Sequence, residues 1–212
     1  MITVVANLKG GSGKSTIAFN LGIWLLTKGE TVIAYDLDPQ KTLTDVSLVR
    51  KDEGINPELH VKNINGSNIS EELRSNFCHV LVDVGASNMD AMKAAISVAD
   101  RIIIPVPPSQ PDVWATQRFL MIIHEVCGER VPDLIAFINR ADTHHAIRES
   151  DEAEEALKML DRVDILPGRL CQRTDYRRSL SEGLSVFELS NKSKGSEEFK
   201  LFADTLFPNL IN

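Results

Sequence analysis

The run Lys9-Gly10-Gly11-Ser12-Gly13-Lys14-Ser15-Thr16 gathers cations, glycines and hydroxyls into one short stretch. Its chemistry is that of a polyphosphate cradle. Glycines let backbone N–H groups turn inward around an anion, and a lysine directly after them reaches the outer phosphate oxygens. A helix beginning near Ser15 adds the positive end of its dipole, and the Ser15 hydroxyl is suited to a Mg2+ ion riding on the phosphates. The context supports this. An apolar run at residues 2–6 precedes the glycines, and Ile17, Leu21, Trp24 and Leu25 follow at helical spacing. Strand, glycine loop, helix is what separates a phosphate site from an ordinary glycine turn.

Acidic groups form the second cluster. Tyr35-Asp36-Leu37-Asp38-Pro39-Gln40 closes another apolar run. Alternate residues of a strand share a face, so both carboxylates point the same way at its C-terminal end, where they suit Mg2+ and water. Alone, the pair reads equally well as a helix cap or a solvated pair; beside the phosphate loop, metal and water handling is the better reading. Val80-Leu81-Val82-Asp83 is an apolar run ending in a carboxylate that could hold a water of the metal shell.

Positioning these groups calls for a scaffold of alternating strands and helices. Short β-branched apolar runs occur at residues 3–7, 31–36, 80–83, 101–106 and 134–139, with weaker ones at 59–63 and 163–166. Helical periodicity occupies residues 15–28, 90–99, 114–127, 151–160 and 196–206. Apolar runs without alternation are strands covered on both faces, so the expected fold is α/β: a mostly parallel twisted sheet with helices on both faces, in one domain spanning residues 1–212. Residues 52–76 are the least periodic and read as a loop-like surface excursion.

Composition excludes other classes. With 23 Lys and Arg against 30 Asp and Glu, the net charge of −7 argues against a chain that coats nucleic acid with its whole surface, while leaving room for a local basic patch. Three cysteines, Cys78, Cys127 and Cys171, form neither a paired framework nor a metal knuckle and read as reduced, buried thiols. No stretch is apolar enough to span a bilayer and no signal peptide is apparent, so a soluble intracellular protein is expected.

The glycine loop resembles the deviant Walker A box of the ParA/MinD family of P-loop ATPases, which departs from the standard P-loop in having Leu8 where a glycine is usual and Lys9 inside the loop. The resemblance implies a slow, partner-stimulated ATP hydrolase using ATP and Mg2+. Gly10, Gly11, Ser12, Gly13, Lys14, Ser15 and Thr16 would bind nucleotide, and Lys9 would be the signature lysine that reaches across a homodimer to the other subunit's phosphates, as an arginine finger does in trans. The Asp-x-Asp-Pro-Gln box implies that Asp38 orients the attacking water while Asp36 supports the metal or the loop, and Asp83 is the Walker B carboxylate. After Asp83 the family commonly continues with prolines, whereas this chain has Val84-Gly85-Ala86-Ser87. Asn139 and Arg140 are expected at the adenine, although a purely structural strand end is the competing reading.

The family resemblance covers nearly the whole chain but leaves the cargo open. Arg169, Arg173, Arg177 and Arg178 face only Asp175 in their stretch, a basic cluster suited to tracking DNA phosphates without reading bases; a solvated helix face with local ion pairs is the alternative. Similar ParA proteins bind chromosomal double-stranded DNA non-specifically as ATP dimers, in the cytoplasm on the nucleoid, and a centromere-binding ParB-like adaptor switches them off. The acidic residues Glu149, Asp151, Glu152, Glu154 and Glu155 read as a solvated helix face. No residues precede the first strand, so the helix-turn-helix domain of long operator-binding relatives is not expected. The segment 197–212 is too acidic for a peripheral membrane helix and reads as a packed terminal helix. A partition ATPase is thus expected first. A positioning factor for a protein cargo and a MinD-like membrane regulator are the alternatives; cysteine placement speaks against an iron–sulfur relative.

Overall fold

Strands and helices alternate along the chain in the computed structural model, which describes residues 1–64, 66, 68–143 and 148–210. In order they are β1 (Ile2–Asn7), α1 (Lys14–Thr27), β2 (Val32–Asp36), α2 (Thr42–Asp52), β3 (His60–Lys62), α3 (Ile69–Arg74), β4 (His79–Gly85), α4 (Met89–Ile96) and β5 (Arg101–Val106). There follow α5 (Gln110–Cys127), β6 (Asp133–Ala141), α6 (Glu149–Lys158), β7 (Asp164–Cys171), α7 (Thr174–Ser181), α8 (Val186–Leu189) and α9 (Lys194–Leu206). Among the described residues the strands form one seven-stranded sheet in the order β3-β2-β4-β1-β5-β6-β7. Every pairing in it is parallel.

Strand alternation distributes the core onto two faces. Val4 and Ala6 of β1, Val80, Val82 and Val84 of β4, and Ile102 and Ile104 of β5 pack with α3, α4, α5 and α6. Their neighbours Val5, Leu81 and Ile103 point the other way, among side chains of α1, α2, α8 and α9. Burial on both sides is why these runs lack polar alternation. Helix α1 is buried almost all round, from Ile17 to Leu25. Helix α9 lays Phe199, Phe202, Ala203 and Leu206 into the core beside Phe137, and each fully buried large side chain contributes ~1.5–3 kcal/mol. Its apolar face is therefore occupied, as a packed terminal helix requires; residues 211 and 212 lie outside the described residues. No described helix is long and apolar enough to cross a membrane.

Several elements depart from the sequence expectation. Within the excursion at 52–76 the weak strand expected at 59–63 is present as edge strand β3, with Leu59 buried just before it, but the excursion also contains helix α3, which buries Ile69 and Leu73. Helices α2, α3, α7 and α8 were not apparent because one to three turns carry too few apolar residues to display a period; α2 buries only Leu43 and Val46 beside Arg50. Strand β7 runs on to Cys171 through Pro167 and Gly168, residues tolerated at an edge where register shifts break the ladder. The cysteines are free as expected, but half-buried rather than buried.

One buried charge ties the far end of α2 to the C-terminal segment. Arg50 is fully buried; its guanidinium donates to Glu188 at 2.8 and 2.9 Å, to the Gly183 carbonyl at 3.0 Å and to the Pro57 carbonyl at 2.7 Å. Glu188 also closes a capping box on Ser185 at the start of α8. Burial works against the Glu188 charge, but Arg50 and the Ser185 groups outweigh it and hold its pKa below the ordinary 4.5. Because the folded pKa is depressed, this stabilisation is complete above about pH 4.5 and is lost as pH falls through the folded value. Glu188→Ala leaves Arg50 buried without its partner and is expected to cost about 3 kcal/mol at pH 7 in urea unfolding. The loss should shrink below pH 4.

Candidate active site

The glycine loop and the acidic groups meet at one end of the sheet. Register sets Val5 and Asp36 on either side of Asp83, and Asn7 beside Gly85, so the C-terminal ends of β1, β2 and β4 form one edge. From β1 and β4 the chain leaves toward β2 on one side and β5 on the other, and strand ends at such a reversal frame a crevice.

Asparagines hold the loop from both sides. Asn7, fully buried, donates Nδ2 to the Pro105 carbonyl at 2.8 Å and accepts the Lys9 N–H at 3.1 Å. Asn139, at the end of β6, donates Nδ2 to the Ser12 carbonyl at 2.7 Å. Gly13 precedes α1 with φ 94°, a region costly for other residues, and a Cβ there would run into Asn139 Nδ2. The first turn of α1 has neither a side-chain cap nor an acidic residue, so its N–H groups and positive end are available to an anion. Lys14 is only 7% exposed, with Nζ 3.4 Å from the Lys9 carbonyl. Lys9 itself is exposed, and its ammonium meets no partner among the described residues.

The carboxylates divide into committed and open ones. Asp36 Oδ1 accepts the Asp38 N–H at 3.2 Å, and its Oδ2 accepts the Thr44 N–H and hydroxyl at 2.9 and 2.8 Å. Its own carbonyl accepts Lys41 Nζ at 2.9 Å. Both side-chain oxygens therefore fasten the β2–α2 loop; Thr44, which sequence reasoning missed, belongs to no motif. Asp38 Oδ1 accepts the Gln40 N–H at 3.0 Å. Asp83 is fully buried and, among the described residues, neither oxygen has a hydrogen-bond partner. Burial pushes its pKa up to about 7; Asp36 and Asp38 add to this, while the Ser15 hydroxyl and Lys14 pull it back. An unpartnered carboxylate beside a hydroxyl, in an oxygen-rich crevice, fits a hard divalent cation such as Mg2+.

Two cavities adjoin the loop. One of about 820 Å³ lies among Lys9, Gly10, Pro107, Asp112, Arg140 and Ser150. The other, about 210 Å³, lies among Gly13, Thr16, Asn139, Cys171, Tyr176 and Arg177. Arg140, exposed and with φ 59°, borders both. Asn139 thus stands between phosphate loop and smaller cavity, and among the described residues its Oδ1 has no partner. Tyr176 donates its hydroxyl to the Gly195 carbonyl at 3.3 Å and lends the cavity an aromatic wall.

The four arginines do not form one open patch. Arg169 is bound to Asp151 at 2.7 Å and Glu154 at 2.6 Å, and Arg173 to Glu198 at 2.5 Å. Of the acidic residues of α6 expected as a solvated face, Glu149, Glu152 and Glu155 are exposed, while Asp151 and Glu154 engage Arg169. Arg178 makes an exposed pair with Glu182 at 2.9 Å, and Arg177 is exposed at the rim of the smaller cavity.

Because its folded pKa lies above the unfolded 3.8, Asp83 in the metal-free chain costs stability increasingly as pH rises through the range up to about 7. Asp83→Asn, without metal or nucleotide, is expected to be more stable than the wild type at pH 8 by roughly 1–3 kcal/mol. Urea unfolding across pH checks this, and the difference should vanish below about pH 4.

The chain is 29% identical to a maintenance of carboxysome distribution protein A from Halothiobacillus neapolitanus, over 92% of this chain and 90% of that one. It is 27% identical to a protein ParA from Rhizobium radiobacter, over 99% and 97%. Its fold matches an ATP complex of a Cyanothece McdA variant with TM-score 0.76 and 22% identity, covering 97% of this chain and 96% of that one. Residues 3–186 match the CobQ/CobB/MinD/ParA nucleotide binding domain. By that match, the chain belongs to the CobQ/CobB/MinD/ParA nucleotide-binding family.

Proposed function

We propose that this protein is a ParA-type ATPase switch: ATP and Mg2+ join two copies, the dimer holds double-stranded DNA without reading its sequence, and a ParB-like partner stimulates hydrolysis and release, so that plasmid or chromosomal DNA is segregated. The observation that carries the reading is the contrast between two lysines of one loop. Lys14 is buried inside it, placed for the phosphates its own chain holds. Lys9 stands exposed on the wall of the large cavity, with no partner for its ammonium among the described residues, and can reach phosphates held by a second copy.

In this reading Gly10 to Gly13 and the first turn of α1 hold the phosphates with backbone N–H groups, and Lys14 offsets their charge. Ser15 and Asp83 would hold Mg2+, which supplies positive charge against the phosphate oxygens. Asp36 keeps the β2–α2 loop in place, so its support for the metal is indirect. Asp38 orients the attacking water, and Lys9 from the other copy meets charge that develops on the transferred phosphoryl group. Asn139 Oδ1 and Arg140 serve the adenine. The DNA-facing charge comes chiefly from Arg177 and Arg178, while Arg169 and Arg173 contribute through a surface already balanced by carboxylates. A second reading keeps the switch and replaces the DNA cargo with a protein assembly. The likeness to a carboxysome distribution protein, as close as that to ParA, favours giving it equal standing.

Lys14→Ala is expected to weaken nucleotide binding at least about tenfold in fluorescent-nucleotide titration, since a hydrogen bond to a charged group contributes ~1.5–3 kcal/mol. Retention on random-sequence double-stranded DNA should occur with ATP and Mg2+ but not ADP, and fall steeply with salt. Arg177→Glu combined with Arg178→Glu should lose that retention while keeping nucleotide affinity. Unchanged retention would move the DNA surface elsewhere, and no retention in either nucleotide state would overturn the DNA reading.

A further inference from the structure

Gly85 ends β4, where the family resemblance leads one to expect a proline, and nothing in the reading above uses it. Its backbone is extended, with φ −118° and ψ 168°, a conformation any residue adopts. Chain flexibility therefore does not explain the glycine. Space does. A Cβ on residue 85 would lie 2.5 Å from Asp38 Oδ2, a separation real Cβ atoms do not show. The same Cβ would lie 3.4 Å from Lys14 Cε and Nζ, which is tolerable contact.

The surroundings decide which group would yield. The Gly85 backbone is fixed by its register with Asn7 of β1, and Asn7 is itself held by Pro105 and Lys9. Leu37, just before Asp38, donates its N–H to the Asp83 carbonyl at 2.9 Å and accepts Asn88 Nδ2 at 3.2 Å, so the loop backbone is fastened to the same strand end. Asp38 Oδ2 is the outer end of a side chain whose other oxygen is anchored, among the described residues, by the Gln40 N–H alone. A methyl group at residue 85 would thus displace the Asp38 carboxylate and leave Lys14 and the strand where they are.

We propose that Gly85 is a positioning residue for Asp38: its missing side chain forms the niche that seats the Asp38 carboxylate, so residue 85 sets the hydrolysis rate separately from nucleotide affinity. This rests on the reading of Asp38 as the group that orients water.

The test is a double-mutant cycle of Gly85→Ala and Asp38→Ala on the full chain, reading kcat for ATP with Mg2+ and the Kd of a fluorescent ATP analogue. Gly85→Ala is expected to lower kcat by ~10- to 100-fold, since a displacement of about 1 Å costs up to ~10²-fold, while Kd changes less than about twofold. Added to Asp38→Ala, it should lower kcat no further, because the residue it acts through is gone. The retained Kd reports that the variant folds. A wild-type kcat in Gly85→Ala, with Asp38→Ala impaired, overturns the proposal and leaves the Asp38 reading standing. An equal loss in both backgrounds overturns it, because the effect then bypasses Asp38. A Kd weakened more than about tenfold overturns it in favour of a clash at Lys14. A wild-type kcat in Asp38→Ala sinks the underlying assignment of Asp38 and this inference with it.

Discussion

Charge is buried at the C-terminal ends of β1, β2 and β4 without being balanced there, and much of the molecule is arranged around that fact. Asp83 lies fully out of water with neither oxygen hydrogen-bonded among the described residues, its pKa raised to about 7 by burial. Beside it an uncapped helix end and a glycine loop present N–H groups that await an anion. Desolvated groups of either sign are costly alone, and a ligand carrying both signs relieves them together. A nucleoside triphosphate with its divalent cation is such a ligand, which makes this crevice a place where binding also stabilises the fold.

Such a site needs a stiff frame, and the frame consists of polar side chains that each reach across a strand boundary. Asn7 fastens the loop to β5, Asn139 fastens it to β6, and Asp36 ties the β2–α2 loop to the first turn of α2 through Thr44. At the far end of α2, Arg50 joins that helix to Gly183 and Glu188. One helix therefore runs from the acidic loop to the segment behind α7, whose Tyr176 and Arg177 line the smaller cavity. Helix α2 is thus clamped at both ends, by Asp36 at its start and by Arg50 at its finish.

The basic surface shows why a count of charges does not define an interface. Arg169 and Arg173 lie in the same stretch of sequence as Arg177 and Arg178, yet two of the four are paired with carboxylates of α6 and α9. Those pairs close β7, the exposed edge strand, against its neighbouring helices. The exposed positive charge is narrower than the sequence suggests and sits beside the smaller cavity.

All seven strand runs, the glycine loop and the three aspartates were legible in the sequence, since each depends on local order: apolar runs, a turn rich in glycine, and carboxylates at strand ends. The short helices were not, because α2, α3, α7 and α8 span too few turns to show a period. The commitment of Asp36 to Thr44, the orphaned state of Asp83, the loss of Arg169 and Arg173 to ion pairs, and the niche at Gly85 were decided only by tertiary structure. Each is a matter of which groups meet across strands distant in sequence, and whether a buried oxygen finds a donor or a carboxylate finds room is a property of the packed whole that no local pattern encodes.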